Sequence, residues 1–458
     1  MSDLLFRSSE DVSNVIRFPH QRIVDPVEVS ETPQTDELET EARELDALSA
    51  YKCDFDYNAY RALERRYKDK PIRGGVTLKK AFRLVNSHST CQQCLYAFEL
   101  DTYGRGCVHN CSFCYARAQL KVHAWWNNPI PVPADLNEIR RAFYRTFETD
   151  QKHKWREILS RRIPIRIGSM SDSFMWMDQK IKITQEVLRL LRHYAYPYVI
   201  FTRSDLVATD EYLSLLDPKL AAIQFSISST NDSMNRLIEP GAPSSKRRLI
   251  AIQKLHKAGF WTTVRINPLF PIYPDGYFTD PNFKWDGAVP KFEFSSFEMV
   301  DEMAAYQVPS ILAGFGRFSF HSMAAIEKST SFNLRQFYRR DLVKKSERDF
   351  HFSDKEIRHY YQELKRKCDR HGISFTTCYI GNGEGHFWKD QDLWSNKLDC
   401  CNVRGRVDGF RRDSRELPFE LRLKHSVQKN IAPSSDKLHT PLGIDRPNNG
   451  LGGPELHP

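Results

Sequence analysis

The stretch Ile183-Thr-Gln-Glu-Val-Leu-Arg-Leu-Leu-Arg-His-Tyr-Ala-Tyr-Pro-Tyr-Val-Ile-Phe-Thr202 changes period part-way along. Ile183, Val187, Leu190, Leu191 and Tyr194 recur at helical spacing and share one face. Tyr198–Thr202 is a short β-branched and aromatic run of the kind that forms a buried strand. The same alternation continues outward. Strands are expected at Leu95–Tyr103, Ile163–Gly168, Ala221–Ser228, Trp261–Asn267, Ser310–Phe315 and Ile373–Tyr379. Between them, Leu249, Ile252, Leu255 and His256 form one helical face, and Ile357, Tyr360, Leu364 and Cys368 form another. Strand, helix, strand in repetition implies an α/β fold of parallel strands with right-handed crossovers. A closed or partly closed β/α barrel fits best, and an open doubly wound sheet is the second reading.

The chain has 458 residues, 40% hydrophobic and 27% charged, enough for one large core plus a smaller unit. No apolar run is long enough to span a bilayer, and the first residues lack the apolar core of a signal peptide. A protein off the membrane and in the cytoplasm is therefore expected. The net charge of +9 is uneven. Residues 27–46 hold eight acids and one Arg, which leaves +16 for the rest. Basic stretches lie at 61–83, 152–166 and 335–348. Each reads either as a solvated face or, together, as contact with a polyanion. The expected segments are an acidic tail (1–50), a basic extension with a CxxC pair (51–94) and the barrel core (95–320). A C-terminal extension (321–432) and a Pro- and Gly-rich tail (433–458) follow.

All ten cysteines except Cys53 fall within 91–114 or 368–401. In a reducing compartment such clusters suggest metal rather than disulfides. Cys107-Val-His-Asn-Cys111-Ser-Phe-Cys114 directly follows the first of these expected strands. Three thiolates at this spacing can hold three irons of a [4Fe–4S] cube and leave the fourth iron open. Zinc would want a fourth protein ligand, which the spacing does not supply.

This run, with Phe113 before the third cysteine, resembles the cluster loop of the radical S-adenosylmethionine superfamily. Gly106-Cys107-Val-His109-Asn-Cys111-Ser-Phe-Cys114-Tyr115-Ala116-Arg117 is similar to the spore photoproduct lyase-like branch. Ser171-Asp172, Phe201-Thr202-Arg203-Ser204, Ser226-Ile-Ser228, Arg236-Leu-Ile-Glu239-Pro240 and Arg265-Ile-Asn267-Pro268 resemble later segments of that branch, over about residues 95–275. The resemblance implies a partial (β/α)6 barrel, with Cys107, Cys111 and Cys114 holding a [4Fe–4S] cluster. S-adenosylmethionine would bind the open iron and be cleaved reductively to a 5′-deoxyadenosyl radical, with flavodoxin or ferredoxin as a typical electron donor. Ser169, Ser171, Asp172, Arg203, Ser204, Ser226 and Ser228 become candidate cofactor contacts at the strand ends, each Ser being equally readable as a turn or cap. His109 is read first as organising the loop, and Glu239 as pairing with Arg248. The branch's lyase carries a hydrogen-donating cysteine near the second strand; Ile167-Gly168-Ser169-Met170 has none, which argues against the same dimer-splitting route.

The remaining cysteines leave two readings open. Cys91 and Cys94, with one or more of Cys378, Cys400 and Cys401, would form a second metal site, zinc or iron–sulfur. Alternatively they are unligated thiols. Cys368 continues a helix face and belongs to the core. The stretch 271–290 is long enough for a lid, and the Gly-rich bend before His386, Trp388 and Trp394 could approach a ligand. The functional readings are a radical enzyme acting on nucleic acid, one acting on a peptide or small metabolite, and an iron–sulfur protein without catalysis. Catalytic residues on the substrate side are not assigned.

Overall fold

The computed structural model describes residues 81–84, 94–122, 131–272, 294–338, 349–350, 352, 354–378 and 390–417. The chain separates into two units, Met1–Tyr51 and Lys52–Pro458, and every described residue belongs to the second. The two tails, most of the basic extension and of the expected lid, Cys53, Cys91, His386 and Trp388 lie outside the described residues.

Among the described residues one sheet has eight strands. They are β1 (Phe82–Leu84), β2 (Phe98–Leu100), β3 (Ile165–Ile167), β4 (Tyr198–Thr202), β5 (Ala221–Ser226), β6 (Trp261–Leu269), β7 (Ser310–Phe315) and β8 (Ser374–Thr377). Their order in space is their order in the chain. β2 to β8 are parallel neighbours, and β1 pairs antiparallel with β2 through Phe82 and Leu100. A doubly wound sheet reverses its strand order at a switch point. No reversal occurs here, and β1 and β8 do not meet. The fold is thus an unclosed α/β partial barrel. The expected core supplies six of the parallel strands; β8 comes from the C-terminal extension and β1 from the basic one.

The longer helices are α1 (Tyr115–Val122), α2 (Leu136–Phe147), α3 (Ile183–His193), α4 (Asp232–Ile238), α5 (Ser245–Lys257), α6 (Met299–Ala305), α7 (Phe320–Thr330) and α8 (Asp354–Arg370). Asp135, Asn231 and Ser244 cap α2, α4 and α5 by accepting backbone N–H bonds. Ile183, Val187, Leu190 and Leu191 of α3, and Leu249, Ile252 and Leu255 of α5, are buried with Ile165, Ile167, Ile200, Ile223 and Val264 of the sheet. Each such side chain contributes roughly 1.5–3 kcal/mol when fully buried. Cys368 of α8 lies in this core.

The other sheet face is covered differently. Val199, Ala222 and Leu312 pack against Trp394, Cys400, Cys401, Val403, Val407 and Phe410. The segment 390–417 therefore forms a second layer over strands that are otherwise covered by helices on one side only. It also shortens the first expected strand. Ser414 N–H donates to Leu95 O at 2.7 Å and Ala97 N–H to Ser414 Oγ at 2.8 Å, so these residues bond the C-terminal segment before β2 begins. At β3 the run stops at Gly168, whose φ of +85° lies in the left-handed region. A Cβ there would stand 2.3 Å from Phe201 O.

Candidate active site

Cys107, Cys111 and Cys114 lie on the loop between β2 and α1, at the C-terminal end of the parallel strands. Chemistry in β/α barrels sits at that end. Two turns shape the loop: Asn110 N–H donates to Cys107 O at 3.2 Å and Cys114 N–H to Cys111 O at 3.3 Å. Ser112 N–H bonds Ile238 O at the end of α4, at 2.7 Å. Gly241 N–H bonds His109 O at 3.1 Å, and a Cβ on Gly241 would stand 1.9 Å from Val108 O. The loop thus rests on a bare glycine backbone. Ser171 Oγ donates to Gly106 O and holds the other side.

His109 is buried and locks the loop. Its Nδ1 is 3.0 Å from Gly241 O and its Nε2 is 3.0 Å from Asp172 Oδ2. Both partners are acceptor oxygens. Asp172 also accepts from Thr202 Oγ1 at 2.9 Å, Arg203 N–H at 2.6 Å and Phe174 N–H at 2.9 Å. Burial pushes this carboxyl up, but His109 and the backbone N–H groups outweigh it and hold it below its ordinary value. Expected as a cofactor contact, Asp172 has a carboxylate already engaged by four protein donors. It joins the cysteine loop to the ends of β3 and β4.

Arg203 stacks on Phe113, its guanidinium 4.9 Å from the ring centroid. It donates to Glu239 Oε2 at 3.2 Å and to Ser226 O at 3.3 Å. Glu239 also bonds Arg248, as the sequence led us to expect, so one buried carboxylate serves two guanidinium groups. Burial works against the Arg203 charge, but Glu239 and then Cys111 and Cys114 outweigh it and favour the charged form.

The seven expected polar contacts divide in the structure. Ser204 caps the turn Asp205–Ala208, and the Ser226 carbonyl receives Arg203 and Arg248. Ser169 Oγ and Ser228 Oγ are buried without any hydrogen-bond partner. They follow β3 and β5, on the cysteine-loop side of the sheet. Sequence reasoning passed over Asp101, which accepts from Ser169 N–H at 3.1 Å and Met170 N–H at 3.2 Å. It also passed over Gly241. Neither carries a local signal beyond its position after a strand or helix.

The donor set suits the implied cluster. Burial pushes the Cys107 thiol up to about 12, and raises Cys111 and Cys114 as well. Such thiols stay protonated until a metal displaces the proton. Cys111 interacts electrostatically with both other cysteines and with Arg203, a cation placed to balance thiolate charge. Among the described residues no three Cys, His, Asp or Glu side chains close around a common point at coordinating distance. The fit therefore rests on ligand type, loop and charge.

Among known proteins, the chain is 26% identical over 170 residues to an uncharacterized protein of Methanocaldococcus jannaschii, covering 36% of this chain and 58% of that one. It is 26% identical over 176 residues to an uncharacterized protein of Acidianus two-tailed virus, covering 36% and 54%. The chain thus spans somewhat more than half the length of these relatives. A mutant spore photoproduct lyase with bound AdoMet and dinucleoside spore photoproduct aligns at TM-score 0.46 and 16% identity, over 64% of this chain and 79% of that one. Streptococcus suis SuiB bound to S-adenosylmethionine aligns at TM-score 0.37 and 13% identity, over 80% and 65%. Residues 102–280, which include the cysteine loop, His109, Asp172, Arg203 and Glu239, match the family model of the Radical SAM superfamily.

Proposed function

We propose that this chain is a radical S-adenosylmethionine enzyme in which Cys107, Cys111 and Cys114 hold a [4Fe–4S] cluster. The observation that carries the reading is the anchoring of one three-cysteine loop to β3, β4 and α4 through His109, Asp172, Ser171 and Gly241. When bound, the cluster supplies the electron that cleaves S-adenosylmethionine. The chain's own residues keep the loop in place and balance its charge. Ser169 and Ser228 offer unpaired hydroxyls to the polar groups of the cofactor. Arg203 stands beside the loop, shared between Glu239 and the cluster side.

For the substrate we favour nucleic acid, on the basic excess of the chain. Of the basic stretches, 152–166 is described throughout. Its Arg161 and Arg162 line a cleft of about 690 Å³ together with Lys219, Arg411 and Arg412. These residues precede β3 and β5 or belong to the C-terminal segment, so the cleft is at the strand ends opposite the cysteine loop. A phosphate backbone held there would be gripped away from the reaction centre.

The test of the cluster is anaerobic reconstitution of the wild type and of Cys107→Ala, Cys111→Ala and Cys114→Ala. Each substitution should abolish the loop's iron and all 5′-deoxyadenosine formation. Full cofactor cleavage by Cys111→Ala would reject the assignment. The substrate class is tested by the salt dependence of DNA and RNA binding, which should be steep for a phosphate-contacting protein.

A further inference from the structure

Four cysteines outside the loop, Cys94, Cys378, Cys400 and Cys401, lie on the sheet face covered by the C-terminal segment. Cys94 precedes β2, Cys378 follows β8, and Cys400 and Cys401 are the middle residues of a turn closed by Asn402 N–H and Asp399 O at 3.2 Å. The turn is firmly held. Thr376 Oγ1 donates to Cys400 O at 2.7 Å, and Gln224 Nε2 to Cys401 O at 3.1 Å. Asp399 accepts the Arg404 N–H at 2.7 Å, and Cys378 N–H bonds Ala313 O at 2.7 Å. Cys400 interacts electrostatically with Cys401, Cys378 and Cys94.

Two guanidinium groups face this cluster. Arg166 Nη1 donates to Cys94 Sγ at 3.7 Å, and Arg265 interacts electrostatically with Cys378, Cys401 and Cys400. Both lie against Phe201, 5.4 and 4.4 Å from its ring centroid. Arg166 has Glu99 as its ion-pair partner. Arg265 is 8% exposed, and its side-chain oxygen partner is the neutral amide of Gln224, at 2.7 Å. No carboxylate pairs with it among the described residues. A buried cation costs several kcal/mol unless an anion meets it.

We propose that Cys94, Cys378, Cys400 and Cys401 bind a second metal, separate from the loop cluster, whose thiolate charge is matched by Arg166 and Arg265. Four thiolates select a soft metal centre, zinc or an iron–sulfur cube, and leave either with net negative charge. In a cube each thiolate takes a different iron, so adjacent cysteines in a turn can both bind. The metal would pin residues 390–417 to the sheet, so its binding would add to folding stability.

The test uses the full chain with Cys107, Cys111 and Cys114 all changed to Ala, which isolates this site from the proposed function. Offered zinc, or iron with sulfide, without oxygen, the folded triple variant should hold about one zinc or about four irons per chain. Adding Cys400→Ser and Cys401→Ser should remove that metal. X-ray absorption on the triple variant should show a sulfur-only shell, a readout that does not depend on the Ser variants folding. A folded triple variant that takes up neither metal, or a nitrogen and oxygen shell around the metal it takes up, would overturn the proposal. Failure of the loop assignment alone would instead leave wild type and triple variant with equal metal.

Discussion

His109 Nε2 lies 3.0 Å from Asp172 Oδ2, a buried contact between residues 63 positions apart. It couples the loop after β2 to the turn after β3, and through Thr202 and Arg203 N–H to the end of β4. Three strand ends are thereby fixed relative to the three cysteines.

Removing the carboxylate from this contact should be costly. Asp172→Ala leaves His109, Thr202 and the Arg203 and Phe174 N–H groups without their acceptor. Leaving a buried donor without its acceptor costs on the order of 1–3 kcal/mol. Urea unfolding should show that loss, and reconstitution should give a lower iron content at the loop. Unchanged values for both would remove Asp172 from the loop's support.

Gly241→Ala puts a Cβ where Val108 O now sits, at 1.9 Å. Backbone must move on one side or the other, and overpacking of that order costs about 1–3 kcal/mol. We expect a lower melting temperature and less iron retained by the loop. A variant with native melting and full iron would show that the loop does not depend on this contact.

Ser169→Ala and Ser228→Ala separate binding from stability. Neither hydroxyl has a hydrogen-bond partner in the folded chain, so neither change removes an internal bond. Stability should stay the same or rise slightly. If each hydroxyl meets the cofactor, S-adenosylmethionine affinity should fall about tenfold or less per site, as for loss of one hydrogen bond of about 0.5–1.5 kcal/mol. Calorimetry showing wild-type affinity in both would assign them no cofactor contact.

Asp178 should give the protein a pH dependence unrelated to the cluster. Burial pushes its carboxyl up to about 6, against the pull of the Tyr103 and Tyr212 hydroxyls. Between the ordinary value of 3.8 and about 6 the folded chain keeps a proton that the unfolded chain has released. This contribution to stability is therefore greatest below that window and declines as pH rises through it. The change is on the order of 3 kcal/mol. Melting temperatures between pH 4 and 7 should lose this component in Asp178→Asn. Parallel profiles for the two proteins would contradict the shift.

Much of the fold was readable in advance because periodicity is a local property. The expected runs at Tyr198–Thr202 and Ser310–Phe315 coincide with β4 and β7, and the buried faces of α3, α5 and α8 follow the helical spacing of their sequences. β1 was not readable. Its Phe-Arg-Leu is too short to alternate and lies at the end of a basic stretch. Nor did any pattern in 390–417 announce that it would cover half a sheet, since its buried Trp394, Val403, Val407 and Phe410 follow neither strand nor helix spacing.

At the site, the spacing of Cys107, Cys111 and Cys114 was sufficient to single out one loop as a candidate, because three cysteines on one short loop are a local pattern. Partnership across the chain was not. Asp172 and Arg203 look alike as polar residues after strands, yet packing gives the first to His109 and the second to Glu239 and Phe113. Cys94 and Cys400 lie about as far apart in sequence as two described residues can, and only the parallel sheet with its returning C-terminal segment brings them to Arg166 and Arg265. Local pattern chose the strands, helices and three-cysteine loop; which side chains meet was decided by burial, because closing contacts over such separations requires the whole core to form first.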